Sequence, residues 1–450
     1  MNIREYLGNN GYNTISDETE SYILEWQDWY QGYVKGFHQY TVFNGLETIS
    51  FDRYSLAMAK RVCEDWANLL MNEKTAVTTS KEALNKQLEA IFEHNNFDIR
   101  ANQLIELIFA FGTGAFVEYM DNGQIIIDYV RADMIHPLAW DNGDITECAF
   151  ASSRQVGGLE VTYLQIHRKN ARGLYEIENH YINADTGKDM ELPEGLLPIV
   201  ETGISIPLFQ IMTPNIVNNI DLDSPMGISV FANAIDQLEG VDLAYDSYCN
   251  EFELGKTKII VPLSMATIQL TADGVKKPVF NKNDTRFYAI PGGRESDNKI
   301  THISVPIRAD EHNAGIQKML DLLSFKCGLG NSRFQFDGAG VKTATEIISE
   351  QSELFQNLKK HKIILEYALR GLVKGISALL GNQSDIEVTV SFDDSIIEDK
   401  ATERTQDRQD VAMGVMSLWE YRAKWYAEDE ETAKRMIPEQ ADILPDNLQM

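Results

Sequence analysis

From Thr343 to about Leu380 the chain keeps a single apolar register. Ile347, Leu354, Leu358, Leu365, Ala368, Leu372, Ile376 and Leu379 recur at steps of three, four and seven residues. At about 1.5 Å per residue, this pattern predicts a helical rod of roughly 55 Å. A rod of that length needs tertiary partners along it, because helices draw most of their stability from a packed face. Gly381 stands where a left-handed C′ residue would end the rod. Thr343 and Glu346 fit a capping box at its start.

The stretch leading into the rod is glycine-rich: "CGLGNSRFQFDGAGVKTATEI", from Cys327 to Ile347. A phosphate-cradling loop requires glycine directly before lysine, in GxxxxGK[ST]. Here Val341 precedes Lys342, the nearest glycines are Gly338 and Gly340, and the element before the loop reads as a helix rather than a strand. A nucleotide hydrolase built on residues 328–342 is therefore the weaker alternative. The glycines read instead as hinges between two helices, since glycine alone reaches positive φ cheaply.

The preceding residues divide into distinct chemistries. Amphipathic helices are expected over residues 17–35 and 53–73, after Ser80 as a cap, and over about 98–111. Strands follow in "AFVEYM", "QIIIDYV", "ECAFAS", "VTYLQIHRK" and "LYEIENHYI", with turns at Asp121-Asn122-Gly123, "DNGDI" and "ADTGKD". Residues 1–220 thus predict an α+β unit with a mostly antiparallel sheet.

Ser224 and Pro225 then look like the start of a helix reaching about residue 254. Its apolar stripe is Ile228, Phe231, Ile235, Leu238, Val241, Tyr245, Tyr248 and Phe252, and Asp236, Glu239, Asp242, Asp246 and Glu253 line much of the other side. Residues 256–307 switch to strand chemistry and carry Lys256, Lys258, Lys276, Lys277 and Lys282, a locally basic insert. A helix resumes near Ala309. Beyond the rod, "IEVTVSFDDSII" alternates as a strand, Ser417 and Glu420 form a capping-box pattern, and a last helix ends by Pro438.

Composition narrows the function classes. The formal charge of the 450 residues is -28, which disfavours a protein that grips nucleic acid through its phosphates. It remains compatible with a wall along which DNA must slide. Cys63, Cys148, Cys249 and Cys327 are far apart, with no CxxC or Cys/His cluster, so reduced thiols are expected rather than zinc or redox sites. His94, His136, His167, His180 and His302 are scattered and read as satisfied structural residues. Asp393, Asp394, Glu398 and Asp399 read as a solvated acidic strand end, with a divalent cation as the alternative. No hydrolase or dinucleotide motif is present, so no enzyme and no cofactor are expected. The N-terminus lacks an apolar h-region and no window approaches the length of a membrane span, so folding in a cytoplasm and no membrane partner are expected.

The order of elements resembles the portal proteins of tailed bacteriophages, in particular those of siphophages of Gram-positive hosts. The phrases "AKRVCEDWANLLMNEK", "FAFGTGAFVEYMDNGQIIIDYVRADMIHPLAWDNGDI" and "GLGNSRFQFDGAGVKTATEI" carry the likeness. The resemblance implies a portal fold with an α/β wing, helical stem, small β-rich clip, long wing helix and helical crown. Residues 1–223 would be the N-terminal part of the wing, 224–254 and 308–327 the stem helices, and 255–307 the clip. Residues 328–342 would be the tunnel loop, 343–397 the long helix and wing return strand, and 398–450 the crown and tail.

It implies a ring, usually a dodecamer, at one capsid vertex of the virion, through which double-stranded DNA passes without sequence specificity. The implied partners are the terminase large subunit, a head-completion or adaptor protein, and the major capsid and scaffolding proteins. Asn331, Ser332, Arg333, Phe334, Gln335, Phe336, Asp337, Gly338, Gly340 and Lys342 would sit at the channel's narrow point. Asp236, Glu239, Asp242 and Asp246 would form an acidic stem face, and the five insert lysines a partner surface. Another ring-forming scaffold component of a phage or secretion apparatus is the remaining alternative.

Overall fold

A computed structural model of the chain describes residues 3–43, 45, 47–71, 75–262, 268–270, 276–278, 287–290, 301–335, 344–382, 386–392, 400–426 and 428–437. The chain divides into two compact units, Met1–Glu73 with Val77–Val390, and Lys74–Ala76 with Ser391–Met450. The composition is mixed helix and sheet, as an α+β chain requires.

The rod is one helix, Ala344–Leu379. Leu354, Leu358, Leu365, Ala368, Leu369, Leu372, Val373 and Ile376 form its buried face. It lies on strands Gly114–Asp121 and Phe209–Met212 and beside helix Met58–Leu70. Gly381 adopts φ 80° and ends it, with Gly381 N–H donating to Ala378 (2.9 Å) and Asn382 N–H to Ser377 (3.0 Å). Both bonds together make the Schellman cap. The Thr343–Glu346 capping box lies outside the described residues.

Two glycines set how closely the rod seats. A Cβ at Gly371 would overlap the Gln210 side chain, and one at Gly375 would overlap the Glu118 carboxyl. Glycine at both positions lets two polar side chains of the sheet touch the helix backbone. Glu118 is fully buried. Burial, only partly opposed by the Gln210 amide, pushes its carboxyl well above the ordinary range, so it is held neutral.

That sheet has three antiparallel strands, in the order Phe209–Met212, Gly114–Asp121, Gln124–Arg131. A second sheet runs Asp189–Met190, Tyr175–Asn183, Leu159–Lys169, Asp144–Val156, Ile135–Asp141, with Ile199–Glu201 also pairing onto Tyr175–Asn183. Its tight turns follow from local chemistry. Asn142-Gly143 takes φ values of 51° and 87°, as Asn122-Gly123 does at 47° and 79° in the first sheet. Positive φ at both central residues is the signature of a type I′ hairpin.

Helix Ile3–Asn9 covers one face of the second sheet, placing Leu7 against Leu138, Ala149, Leu164 and Ile166. Phe150 and His167 meet Phe209 of the first sheet edge-on, with His167 centroids at 5.3 and 5.6 Å from the two rings. His167 is structural but not hydrogen-bonded: both ring nitrogens are buried without a partner, and burial lowers its pKa to about 3.

Three expected boundaries are corrected. Helix Ile235–Leu254 starts ten residues after Pro225, and Ser224 does not cap it. Residues 227–230 instead satisfy the end of helix Phe97–Phe111. Val230 N–H and Ser229 Oγ both donate to Phe109 O (2.9 and 3.2 Å), and Gly227 N–H donates to Thr113 Oγ1 (3.1 Å). A backbone engaged that way cannot close its own helical turns, so Ile228 and Phe231 are buried off the helix. Ser80 is not the cap of helix Glu82–His94, whose N-cap position is taken by Lys81; the Ser80 N–H donates to Glu387 O (3.2 Å), where strand Val388–Ser391 pairs with Ala76–Thr79. The helix expected from residue 53 begins at Met58, since residues 53–57 are used as described below.

Helices Ile235–Leu254 and Ala309–Lys326 pack antiparallel, with Gly240 against Met319, and Arg308 making two 3.0 Å bonds to Glu251. Between them, Lys258–Pro262 pairs with Phe287–Ile290 in parallel and with Thr301–Ile303 antiparallel, and Ile268–Leu270 pairs with Lys276–Pro278. The second unit holds helices Lys400–Met413, Leu418–Tyr426 and Glu430–Arg435. Glu420 accepts from Ser417 N–H (2.8 Å), completing half of the expected capping box. Trp425 Nε1 donates to Asp407 (2.8 Å), and the Tyr421 hydroxyl accepts from Arg404 and Arg408 (3.0 Å each).

Two substitutions test the seating of the rod. Gly375→Ala is expected to lower unfolding free energy by chemical denaturation, since overpacking at about 1–3 kcal/mol outweighs the roughly 1 kcal/mol of helix propensity gained. Glu118 has a raised folded pKa, so its contribution is fully present below the ordinary carboxylate pKa and is lost as pH rises toward the folded value. Glu118→Gln should therefore lose less stability than the wild type between mildly acidic and alkaline pH, read as the difference in Tm across the range.

Candidate functional site

The glycine-rich stretch begins as a fixed element. Helix Ala309–Lys326 ends at Cys327 and Gly328, whose φ is 76°. Gly328 N–H donates to Phe325 O (3.1 Å) and Leu329 N–H to Ser324 O (3.0 Å), a second Schellman cap. Trp66 Nε1 donates to Cys327 O (3.0 Å), and Asn357 Nδ2 of the rod donates to Gly328 O (3.0 Å). Trp66 stacks on Phe109 at 5.5 Å, and His361 of the rod stands edge-on to both at 4.8 and 4.9 Å. His361 Nδ1 accepts from Asn215 N–H (3.1 Å), and burial lowers its pKa to about 3.

Downstream, Leu329 and Gly330 are buried, and Gln317 Nε2 donates to Phe334 O (2.9 Å). Arg333 Nε donates to Asp65 Oδ2 (3.0 Å), a buried carboxylate that also pairs with Arg61 (2.9 Å). The hinge reading is thus corrected for Gly328, which is a cap fixed by its φ, and the Arg333 guanidinium is engaged by Asp65 within the chain. Asn331 and Gln335 are exposed, and Ser332 and Phe334 half-buried. Phe336, Asp337, Gly338, Gly340 and Lys342 lie outside the described residues.

The acidic face is corrected in half of its members. Asp242 and Asp246 are buried, not displayed. Asp242 accepts from His38 Nε2 (3.0 Å), Ser55 Oγ (2.9 Å) and Leu56 N–H (2.7 Å). Val34 N–H donates to His38 Nδ1 (2.7 Å), which assigns the ring proton to Nε2. Asp246 accepts from Tyr54 N–H (3.0 Å) and Asn250 Nδ2 (3.0 Å). The two carboxylates, one helical turn apart, fasten residues 54–56 to the helix and satisfy their backbone, which is why no helix forms there. Asp236 remains exposed and Glu239 half-buried.

Of the insert lysines, Lys256 is exposed and Lys258 half-buried. Lys276 and Lys277 lie on strand Lys276–Pro278, and Lys282 is outside the described residues. Asp393, Asp394, Glu398 and Asp399 also lie outside them. No cluster of His, Cys, Asp and Glu that could hold a metal occurs among the described residues, and none of the described helices is long and apolar enough to cross a membrane.

Sequence reasoning missed one cavity, of about 480 Å³, lined in part by Arg100, Tyr129, Arg154, Tyr163 and Gln165. Arg154 stacks over Tyr163 at 4.6 Å and donates to Tyr181 Oη (3.3 Å). No hydrogen-bonded nucleophile and base are set there in the manner of covalent catalysis.

Residues 11–445 match the protein family described as phage portal protein, SPP1 Gp6-like. No curated protein matches the chain.

The division of the four acids gives a direct test. Asp242→Ala orphans three donors at once and is expected to cost about 3 kcal/mol or more in unfolding free energy. Asp236→Asn and Glu239→Gln are expected to stay within about 0.5 kcal/mol of wild type by the same denaturation measurement.

Proposed function

We propose, because the chain belongs to the phage portal protein family of the SPP1 Gp6-like kind, that it forms the ring at one capsid vertex through which double-stranded DNA is packaged and ejected. The family match over residues 11–445 carries this reading. The element order supports it: an α+β body, a helix, a small β insert, a second helix and a 36-residue helix.

In this reading the body is the wing, helices Ile235–Leu254 and Ala309–Lys326 are the stem, and the strands between them are the clip. Residues 328–342 are the tunnel loop, and residues 398–450 the crown and tail. The ring is a homo-oligomer, usually of about twelve copies, with closed cyclic symmetry. The clip, with Lys256, Lys258, Lys276, Lys277 and Lys282, docks the terminase large subunit and later the head-completion protein. The major capsid and scaffolding proteins are further partners during assembly in the host cytoplasm, and the ring remains at the capsid vertex of the virion.

The chain's role toward DNA is passive. An excess of negative charge repels a polyanion and keeps it mobile, whereas phosphate-binding lysines and arginines would hold it. Asp236 and Glu239 are the members of the predicted acidic face that remain available for this, since Asp242 and Asp246 are internal. Arg333, paired with Asp65, shapes the start of the tunnel loop rather than gripping phosphates.

Reversing both available charges separates a DNA channel from a scaffold ring that holds no DNA. Particles carrying Asp236→Lys and Glu239→Lys are expected to assemble normally and to package markedly less DNA, measured as nuclease-protected genome per particle. Wild-type packaging in assembled particles would contradict the channel role of this face.

A further inference from the structure

The rod turns a basic face to solvent in a chain whose formal charge is -28. Counting about 100° per residue from Glu353 onward, Lys359, Lys360, Ile363, Tyr367, Arg370 and Lys374 fall within about 60° of Ile363. All six are exposed, and Ile363 and Tyr367, at 62% and 67%, stand between the cations. The same arc holds the uncharged Gln356, Ser377 and Ala378 and a single acid, Glu366, which pairs with Arg370 (2.6 Å). Glu353, about 80° from Ile363, borders it. Lys359 lies over the Phe355 ring at 3.9 Å, and among the described residues neither Lys360 nor Lys374 has an ion-pair partner.

Helix Asp17–Gln31 is the counterpart, with five acids and neither lysine nor arginine. By the same count, Asp17, Ser21, Leu24, Glu25 and Gln31 fall within about 60° of Asp28, with Glu18 and Glu20 bordering them at about 80° on either side. All eight are exposed, Leu24 by 54%. From neighbouring elements, Arg4 pairs with Asp17, and Asp133, which shares a small pocket with Glu20 and Leu24, is matched by Arg131 (2.7 Å). The acids of the first turn suit the positive end of the helix dipole. Asp28 stands in the last turn, where a negative charge is unfavourable, so the helix's own stability does not account for it.

The two faces look away from each other. His361, on the buried side of the rod, stands edge-on to Phe109 at 4.9 Å, whereas Tyr30, on the buried side of helix Asp17–Gln31, meets Phe111 at 5.5 Å. Phe109 and Phe111 are about 200° apart around helix Phe97–Phe111, so the two elements pack on opposite sides of it. We propose that the basic rod face of one copy docks on the acidic face of helix Asp17–Gln31 of the next copy in the ring. This rests on the ring reading above. A cyclic assembly of more than two subunits uses a head-to-tail interface, in which each copy presents two different, mutually complementary patches. Lys360 and Arg370 are about 15 Å apart along the rod, as are Glu18 and Asp28 along their helix. Ile363 and Tyr367 lie between the first pair and Leu24 between the second, so apolar centres meet where opposite charges meet. Neither face includes Asp236 or Glu239, the acids of the channel reading.

The test uses two full-length variants, Lys360→Glu/Arg370→Glu and Glu25→Lys/Asp28→Lys, under conditions where wild-type rings assemble. Each alone is expected to raise the concentration needed for assembly by about tenfold or more in native mass spectrometry, most steeply at low salt. The second variant makes the chain less negative, so a general repulsion between copies would ease its assembly rather than impair it. Mixed in equal amounts, the two variants are expected to co-assemble near the wild-type concentration, because each reversed face then finds its opposite on a copy of the other kind. Both isolated chains should melt like wild type, since all four side chains are exposed. Assembly of either variant alone at the wild-type concentration, or a mixture that assembles no better than its components, would overturn the docking proposal alone. A wild-type chain that stays monomeric at every concentration would overturn the ring reading and the proposal together.

Discussion

The hydrogen bond from the Trp66 indole to the Cys327 carbonyl is the contact on which the rest of the first unit depends. It joins the end of helix Ala309–Lys326 to helix Met58–Leu70, while Phe109 and His361 pack the indole from helix Phe97–Phe111 and from the rod. Asn357 adds a bond from the rod to the neighbouring carbonyl of Gly328. Four helices therefore meet where one chain segment ends its helix and turns. Glycine at 328 follows from that meeting, because φ is positive and a Cβ would press on the Asn357 side chain. The junction fixes residues 327 and 328 between these helices.

A second theme is that some of the carboxyl groups are internal. Asp65, Glu118, Asp242 and Asp246 are all buried, and they serve three different purposes. Asp65 gathers two arginines, Glu118 is held neutral against the rod, and the two stem acids fasten a non-helical segment. Of the four acids expected to form the stem face, only Asp236 and Glu239 are left to meet solvent.

The sequence announced elements whose signal is local. The rod's register, its Gly381 cap and the Asn-Gly turns were legible because spacing and φ preference are set within a few residues. The helix boundary at Ile235 was not, because it depends on Ser229 and Val230 bonding to Phe109, more than a hundred residues away. Asp242 and Asp246 were misplaced for the same reason. Acids spaced by four on a helix look solvent-facing until a His38, a Ser55 and two backbone N–H groups arrive from elsewhere in the chain. Arg333 looked free in a glycine-rich loop, and only the fold brings Asp65 to it. The Gly371–Gly375 pair could have been noticed as small residues one turn apart, but its partners Gln210 and Glu118 have no local signal.

Electron microscopy of the purified protein in negative stain tests the central claim most directly. Rings of about twelve subunits with a central hole are the result expected of a portal. A population of compact monomers across the accessible concentration range would contradict it.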